Sequence, residues 1–225
     1  LSAIAQRYEI VRRQVADASD HAGRDASGVR IVAVTKYVGI PEIREAIAVG
    51  IEDFGENRVQ EFTGKYGLFP DVRWHFIGTL QTNKVKDVVG KAYLIHSVDR
   101  EKLLRAVDRK AAESGVVQPV LLQVNVSGEE SKHGLLAREV ADVLAEAAGM
   151  ENVEVRGLMT MAPYGRPDEV RWVFRELREL RDSLRTSAPN GVELDELSMG
   201  MTNDFRVAVE EGATIVRVGR AIFGG

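Results

Sequence analysis

Val29-Arg30-Ile31-Val32-Ala33-Val34-Thr35, followed by Lys36, reads as one β-strand and Ile51-Glu52-Asp53-Phe54 as the next. Between them lies a helix-like segment, 41–49, with Pro41 where a first-turn proline is tolerated and Gly50 where a left-handed cap fits. The same alternation runs along the chain. Apolar runs at 72–77, 92–98, 119–126, 153–161, 193–198 and 214–218 bring the expected strands to eight, with 29–35 and 51–54. Helix-like segments fall at 59–66, 81–89, 100–114, 135–148, 168–186 and 203–211, and an amphipathic stretch, 1–18, precedes the first strand.

Helix punctuation supports these boundaries. Pro167 suits a first turn, and Asp99 precedes Leu103, Leu104 and Val107 at helical spacing. Gly115, Gly149 and Gly212 follow helix candidates and suit left-handed caps. In 168–186 the charged residues form a solvated face, with Trp172, Phe174, Leu177, Leu180 and Leu184 on the buried side.

Strands alternating with helices call for a parallel sheet covered by helices. Eight such units in 225 residues point to an α/β fold, a (β/α)8 TIM barrel with an additional N-terminal helix. An open doubly wound sheet is the alternative, but no Gly-x-Gly-x-x-Gly follows a strand and no Walker-type loop occurs. No Pro/Ser-rich linker divides the chain, so a single domain, 1–225, is expected.

Composition narrows the chemistry. With no cysteine, a disulfide framework, thiolate zinc and a cysteine nucleophile are excluded. Thirty basic against 34 acidic residues offer no broad positive field for nucleic acid. No apolar stretch reaches the ~18–20 residues that span a bilayer, and no signal pattern opens the sequence. A cytoplasmic monomer is the expectation.

In barrels the residues that act sit at the C-terminal ends of strands and in the loops that follow. That filter selects Lys36; Glu56, Asn57 and Arg58; 75–81; His96 and Ser97; Asn125 and 131–133; Met161; 198–203; and 217–220. Lys36 ends the first strand. In apolar surroundings its ammonium form would be destabilised, freeing an amine for Schiff-base chemistry with an aldehyde. The alternative is a lysine reaching to water from a strand end.

Barrels frequently bind phosphate with the loops after strands seven and eight. Here the seventh reads Ser198-Met199-Gly200-Met201-Thr202-Asn203-Asp204, with hydroxyls and free N–H groups opening a helix. The eighth strand ends Arg217-Val218-Gly219-Arg220, where Gly219 permits close approach of a ligand. Arg217, inside a β-branched run, points into the barrel or along its mouth, and a buried cation needs a partner. An amine, a phosphate cradle and an inward arginine together suggest pyridoxal 5′-phosphate. Asp53-Phe54-Gly55 matches a kinase tripeptide without the loops that belong to it, and no Gly-x-Ser-x-Gly elbow occurs. His75, His96 and His133 lack metal-ligand spacing and read as hydrogen-bonded structural residues.

Longer blocks then carry a resemblance. Val32-Ala33-Val34-Thr35-Lys36, Phe54-Gly55-Glu56-Asn57-Arg58-Val59-Gln60-Glu61 and Trp74-His75-Phe76-Ile77-Gly78 with Leu80-Gln81-Thr82-Asn83-Lys84 resemble the pyridoxal phosphate homeostasis proteins, the YggS/PROSC family. So do Val124-Asn125-Val126 with Ser131-Lys132, Arg156-Gly157-Leu158-Met159-Thr160-Met161, Leu197-Ser198-Met199-Gly200-Met201-Thr202 and Val216-Arg217-Val218-Gly219. The resemblance spans nearly the whole chain. It implies a barrel like the N-terminal domain of alanine racemase, a fold-type III pyridoxal phosphate protein.

Carried over by position, Lys36 is similar to the Schiff-base lysine, and Ser198, Thr202, Gly219 and Arg220 to phosphate contacts. Arg217 is similar to the residue facing the pyridine nitrogen. Asn57 and Met201 would line the pocket, with Met161 at the mouth of strand six. An arginine there leaves the ring nitrogen unprotonated and the ring a poorer electron sink. Racemases of this fold add a tyrosine from a second domain, which the 225 residues are not expected to supply; Tyr164 is the substitute available.

Three readings stay open. One is custody of the cofactor and its delivery to apo-enzymes, serving vitamin B6 homeostasis. Another is an amino-acid racemase. The third is a barrel enzyme acting on a sugar phosphate. The first is preferred.

Overall fold

Parallel strands covered by helices hide both faces, which is why these strands read as continuous β-branched runs. The computed structural model describes residues 2–129, 132–186 and 192–224; the candidate Ser131 lies outside them, as do both ends of the expected domain. Among the described residues, α1 (Ala3–His21) precedes β1 (Arg30–Val34), α2 (Ile40–Ala48), β2 (Asp53–Glu56), α3 (Val59–Leu68), β3 (Arg73–Phe76), α4 (Val85–Val88) and β4 (Leu94–Val98). Then come α5 (Glu101–Ser114), β5 (Gln118–Gln123), α6 (Val140–Ala147), β6 (Val153–Met159), α7 (Pro167–Arg185), β7 (Glu196–Met201), α8 (Phe205–Glu210), β8 (Ile215–Val218) and α9 (Arg220–Phe223).

The eight strands close in sequence order into a parallel barrel. Closure sets Ile31 of β1 opposite Val216 of β8, and Ala33 opposite Val218. Alternation along the strands then sorts the core. Ala33, Phe54, Trp74, Phe76, Ile95, Val120, Leu122, Leu197 and Val216 pack outward on helix residues such as Ile43, Phe62, Leu104 and Phe174. Val32, Leu94, Leu121, Met159 and Ile215 form a separate cluster, the apolar filling of the barrel. Above and beside that filling the interior is polar: Asp53, His75, His96, Ser198 and Arg217 are all buried.

The N-terminal helix is present and has a definite place. It packs against α8, α9 and α2, and Arg7 donates to the carbonyl of Phe223 at 3.2 Å. Because α9 is a single turn, α1 takes the position of an outer helix over the β8–β1 seam.

Several local expectations change. The stretch 81–89 folds as a 3₁₀ turn, Thr82–Lys84, followed by the one-turn α4, and 135–148 likewise begins with a 3₁₀ turn, Ala137–Glu139. Gly50, Gly115 and Gly212 are left-handed, but Gly149 is not, because α6 ends a residue earlier without a left-handed cap. Asp99 pairs with Arg100, which itself holds the cap position of α5. On α7, Val170 and Val173 take the buried places and Trp172 is exposed. No helix among the described residues is long and apolar enough to cross a membrane.

Candidate functional site

Strand ends place the site. A cavity of about 650 Å³ opens at the C-terminal face of the barrel. Its wall brings together Lys36 after β1, Asn57 after β2, Met161 after β6, Met201 and Thr202 at the end of β7, and Arg217, Gly219 and Arg220 at the end of β8. Gly78, Thr79, Gln123, Tyr164 and Asp204 line it too. Ser198 does not. It is fully buried, and its hydroxyl is engaged by Arg217 at 2.6 Å and His96 at 2.8 Å. In this structure Ser198, within β7, supports Arg217 from beneath.

Lys36 is exposed at this mouth, not sheltered in apolar surroundings. The residue before it is clamped instead. Lys65 of α3 donates to the Thr35 carbonyl at 2.8 Å and forms an ion pair with Glu56, and the Thr35 hydroxyl donates to the same carboxylate at 2.8 Å. Glu56 and Lys65 are both buried. The residue after Lys36 carries strain: Tyr37 adopts φ 65°, left-handed for a side chain that disfavours it. Arg58 lies over the Tyr37 ring, 5.5 Å from its centre.

Arg217 is the electrostatic centre of the site. It is buried, donates to Ser198 Oγ and to the Thr160 carbonyl at 2.9 Å, and forms no ion pair among the described residues. Burial draws its pKa down to about 10, with Asp204 pulling the other way, so it stays charged at neutral pH. Asp204 is occupied in closing the turn after β7, accepting from the Met201 N–H at 2.6 Å, and burial raises its pKa. A buried cation without a carboxylate in contact leaves donors for a ligand.

The remaining wall offers matching groups. Asn57 Oδ1 is buried without a hydrogen-bond partner among the described residues. The N–H groups of Thr202, Asn203, Gly219 and Arg220 donate to no backbone carbonyl among the described residues. Two glycines shape this wall by close approach. A Cβ on Gly78 would lie 1.9 Å from the Asn57 carbonyl oxygen, and Gly200, at φ 91°, would meet the Ala208 Cβ at 2.5 Å.

A second cavity, about 540 Å³, lies at the opposite face between α1 and the strand starts. Its arginines are paired with acids: Arg12 and Arg13 with Glu9, Arg73 with Glu52 and Asp53, Arg30 with Asp53 and Glu196. No cluster able to hold a metal occurs among the described residues. His75 and His96 are buried and bonded to each other, as expected of structural histidines, whereas His133 is largely exposed.

Sequence reading missed Gln123 and Lys65. Gln123 ends β5 two residues after the inward Leu121, a period-two signal. Lys65 sits three residues after Phe62, on the buried face of α3.

A closed parallel barrel with a lysine after β1 and an arginine within β8 is an alanine-racemase-type barrel. The family model for the alanine racemase N-terminal domain matches residues 3–225. The alanine racemase of Corynebacterium glutamicum shares that fold at a TM-score of 0.69 and 18% identity, with 99% of this chain covering 60% of its own. Closer relatives refine the class. The chain is 45% identical, over 97% of its length and 96% of the relative's, to the pyridoxal phosphate homeostasis protein of Aquifex aeolicus. It superposes on PipY of Synechococcus elongatus PCC7942, solved with PLP bound, at a TM-score of 0.85 and 35% identity, covering 98% of this chain and all of PipY (100%). The chain belongs to the pyridoxal phosphate homeostasis protein family.

Proposed function

We propose that this protein binds pyridoxal 5′-phosphate in the C-terminal cavity, covalently through Lys36, and acts as its custodian, supplying apo-enzymes. The observation that carries the reading is the pairing, in one cavity, of an exposed amine and a buried guanidinium, neither with a carboxylate partner among the described residues. The residues fit the group. Among the described residues Asn57 Oδ1 is an orphaned buried acceptor, and the N–H groups of Gly219 and Arg220 meet no backbone acceptor, beside a backbone that a side chain at 219 would crowd, 3.2 Å from the Val34 carbonyl oxygen.

When bound, the cofactor supplies an aldehyde for a lysine amine and a ring that can draw electrons. This chain's residues do the rest. Lys36 offers Nζ, and the Lys65–Thr35 contact fixes the backbone from which it extends. Thr202, Gly219 and Arg220 hold the phosphate, and Met161 and Met201 flank the mouth. Arg217 keeps its protons, so it donates to a ring nitrogen without protonating it.

Custody is favoured over racemisation by Tyr164. Proton exchange at both faces of a carbon needs two positioned groups, and Tyr164 is 97% exposed with no hydrogen bond among the described residues.

The test is direct. Protein incubated with pyridoxal phosphate should gain a visible absorption band, and borohydride should fix the cofactor's mass on the Lys36 peptide. A colourless protein, or label spread over surface lysines with Lys36→Ala unchanged, overturns the reading.

A further inference from the structure

Five buried side chains form one hydrogen-bonded line through the barrel. Arg217 donates to Ser198 Oγ at 2.6 Å, and Ser198 Oγ lies 2.8 Å from His96 Nδ1. His96 Nε2 is 2.9 Å from His75 Nδ1, and His75 Nε2 is 2.9 Å from Asp53 Oδ1. The chain links β8, β7, β4, β3 and β2, and its two ends lie in the two cavities.

The partners fix its direction. A guanidinium only donates and a carboxylate only accepts. Asp53 is held as a carboxylate by Arg73, whose Nε and terminal nitrogen each donate at 2.8 Å. Every member is satisfied only if the Ser198 hydroxyl donates to His96 Nδ1, His96 Nε2–H to His75 Nδ1, and His75 Nε2–H to Asp53. Reversing the line would point a lone pair of His75 at the carboxylate. The alternative, an imidazolium at His75, would be a buried cation near Arg30 and Arg73.

We propose that Asp53, His75 and His96 are positioning residues for the cofactor: their one-way chain turns the Ser198 lone pairs toward Arg217, holding the guanidinium where it meets the ring. This rests on the reading of the cavity as a pyridoxal phosphate site. The distant carboxylate balances the buried charge through polarised neutral groups, so Arg217 needs no acid beside it to compete with the ligand.

His96→Gln and His96→Leu separate this role from simple packing. A glutamine carries an acceptor and a donor spaced like the two ring nitrogens, whereas leucine fills space only. Titrated with pyridoxal phosphate, His96→Gln should bind within about 2-fold of wild type with the same visible maximum. His96→Leu should bind about 10-fold more weakly, the loss of a hydrogen bond serving a charged group, with a displaced maximum. Equal binding and an equal maximum in both variants overturns the proposal while leaving the site standing; a wild type that binds nothing overturns the site. Should His96→Leu not fold, ¹⁵N NMR of the wild-type histidines decides: neutral Nε2–H rings at both supports the chain, and a protonated Nδ1 at either overturns it.

Discussion

Lys65 Nζ lies 2.8 Å from the carbonyl oxygen of Thr35, so the residue preceding Lys36 is tied to a helix that follows the next strand. The same ammonium neutralises Glu56, which is wholly buried. The link converts a strand end, ordinarily free to fray, into a fixed base for the Lys36 side chain.

Removing one member of that pair should be costly. Lys65→Met leaves Glu56 charged and unpaired, and should lower unfolding free energy by about 3–5 kcal/mol. The double variant with Glu56→Leu should recover most of the loss. Urea denaturation of the three proteins checks this; a single variant as stable as wild type would contradict a buried pair.

Glycines at 78 and 64 should respond oppositely to alanine. A Cβ at 78 meets the Asn57 carbonyl oxygen at 1.9 Å, whereas at 64, within α3, nothing lies within 4 Å. Gly78→Ala should cost about 1–3 kcal/mol and weaken pyridoxal phosphate binding, because Asn57 must move. Gly64→Ala should add about 0.5–1 kcal/mol from helix propensity and leave binding alone. Thermal melts and cofactor titrations report both.

Tyr37 should be improvable. Its φ of 65° and 78% exposure leave little packing to lose. Tyr37→Gly should raise stability by about 1 kcal/mol through relief of left-handed strain, net of the Arg58 contact. An unchanged or lower melting temperature would show that the ring over Arg58 outweighs the strain.

Acid should act on the buried line in two stages. Burial depresses the pKa of both His75 and His96, so the unfolded chain takes up protons first and stability falls as pH drops below about 6.5. Each histidine contributes a slope approaching about 1.4 kcal/mol per pH unit. Burial alone would raise Asp53, but hydrogen bonds from Arg73 and His75 outweigh it and bring the carboxyl to about 2. Its stabilisation is complete above about pH 4 and disappears as pH falls through about 2. Allowing for solvent screening, Asp53→Asn should cost about 1–2 kcal/mol at pH 7 and progressively less as pH falls through about 2. Denaturant melts across pH read both stages, and His96→Gln should halve the upper slope.

The barrel was legible because its strands are buried on both faces and spell themselves out in β-branched residues, as Ile31 to Val34 do. Residues toward strand ends were legible for the same reason: Lys36 stops an apolar run, Asn57 follows β2, Arg217 interrupts the β-branched run of β8, and the cavity gathers them. The segment 193–198 misled by its charge. Glu193 and Asp195 precede the strand, which starts at Glu196 and continues through Met201, with Ser198 buried in its middle. The histidine line stayed hidden because its members join β2 through β4 to β7 and β8 across a closed ring. No spacing in sequence encodes a contact such as His96 to Ser198, 102 residues apart.

The placement of α1 has a consequence for synthesis. α1 is seated against α8 and α9, made almost 200 residues later. On the ribosome its apolar stripe, Ile4, Val11, Val15 and Ala18, emerges with most of its final neighbours still untranslated. Closing the ring is thus a long-range event, the slow kind in which loop-closure entropy is spent before contacts return it. Nascent chains halted before β8 should hold that stripe open to chaperones, and release from them should coincide with β8 leaving the tunnel.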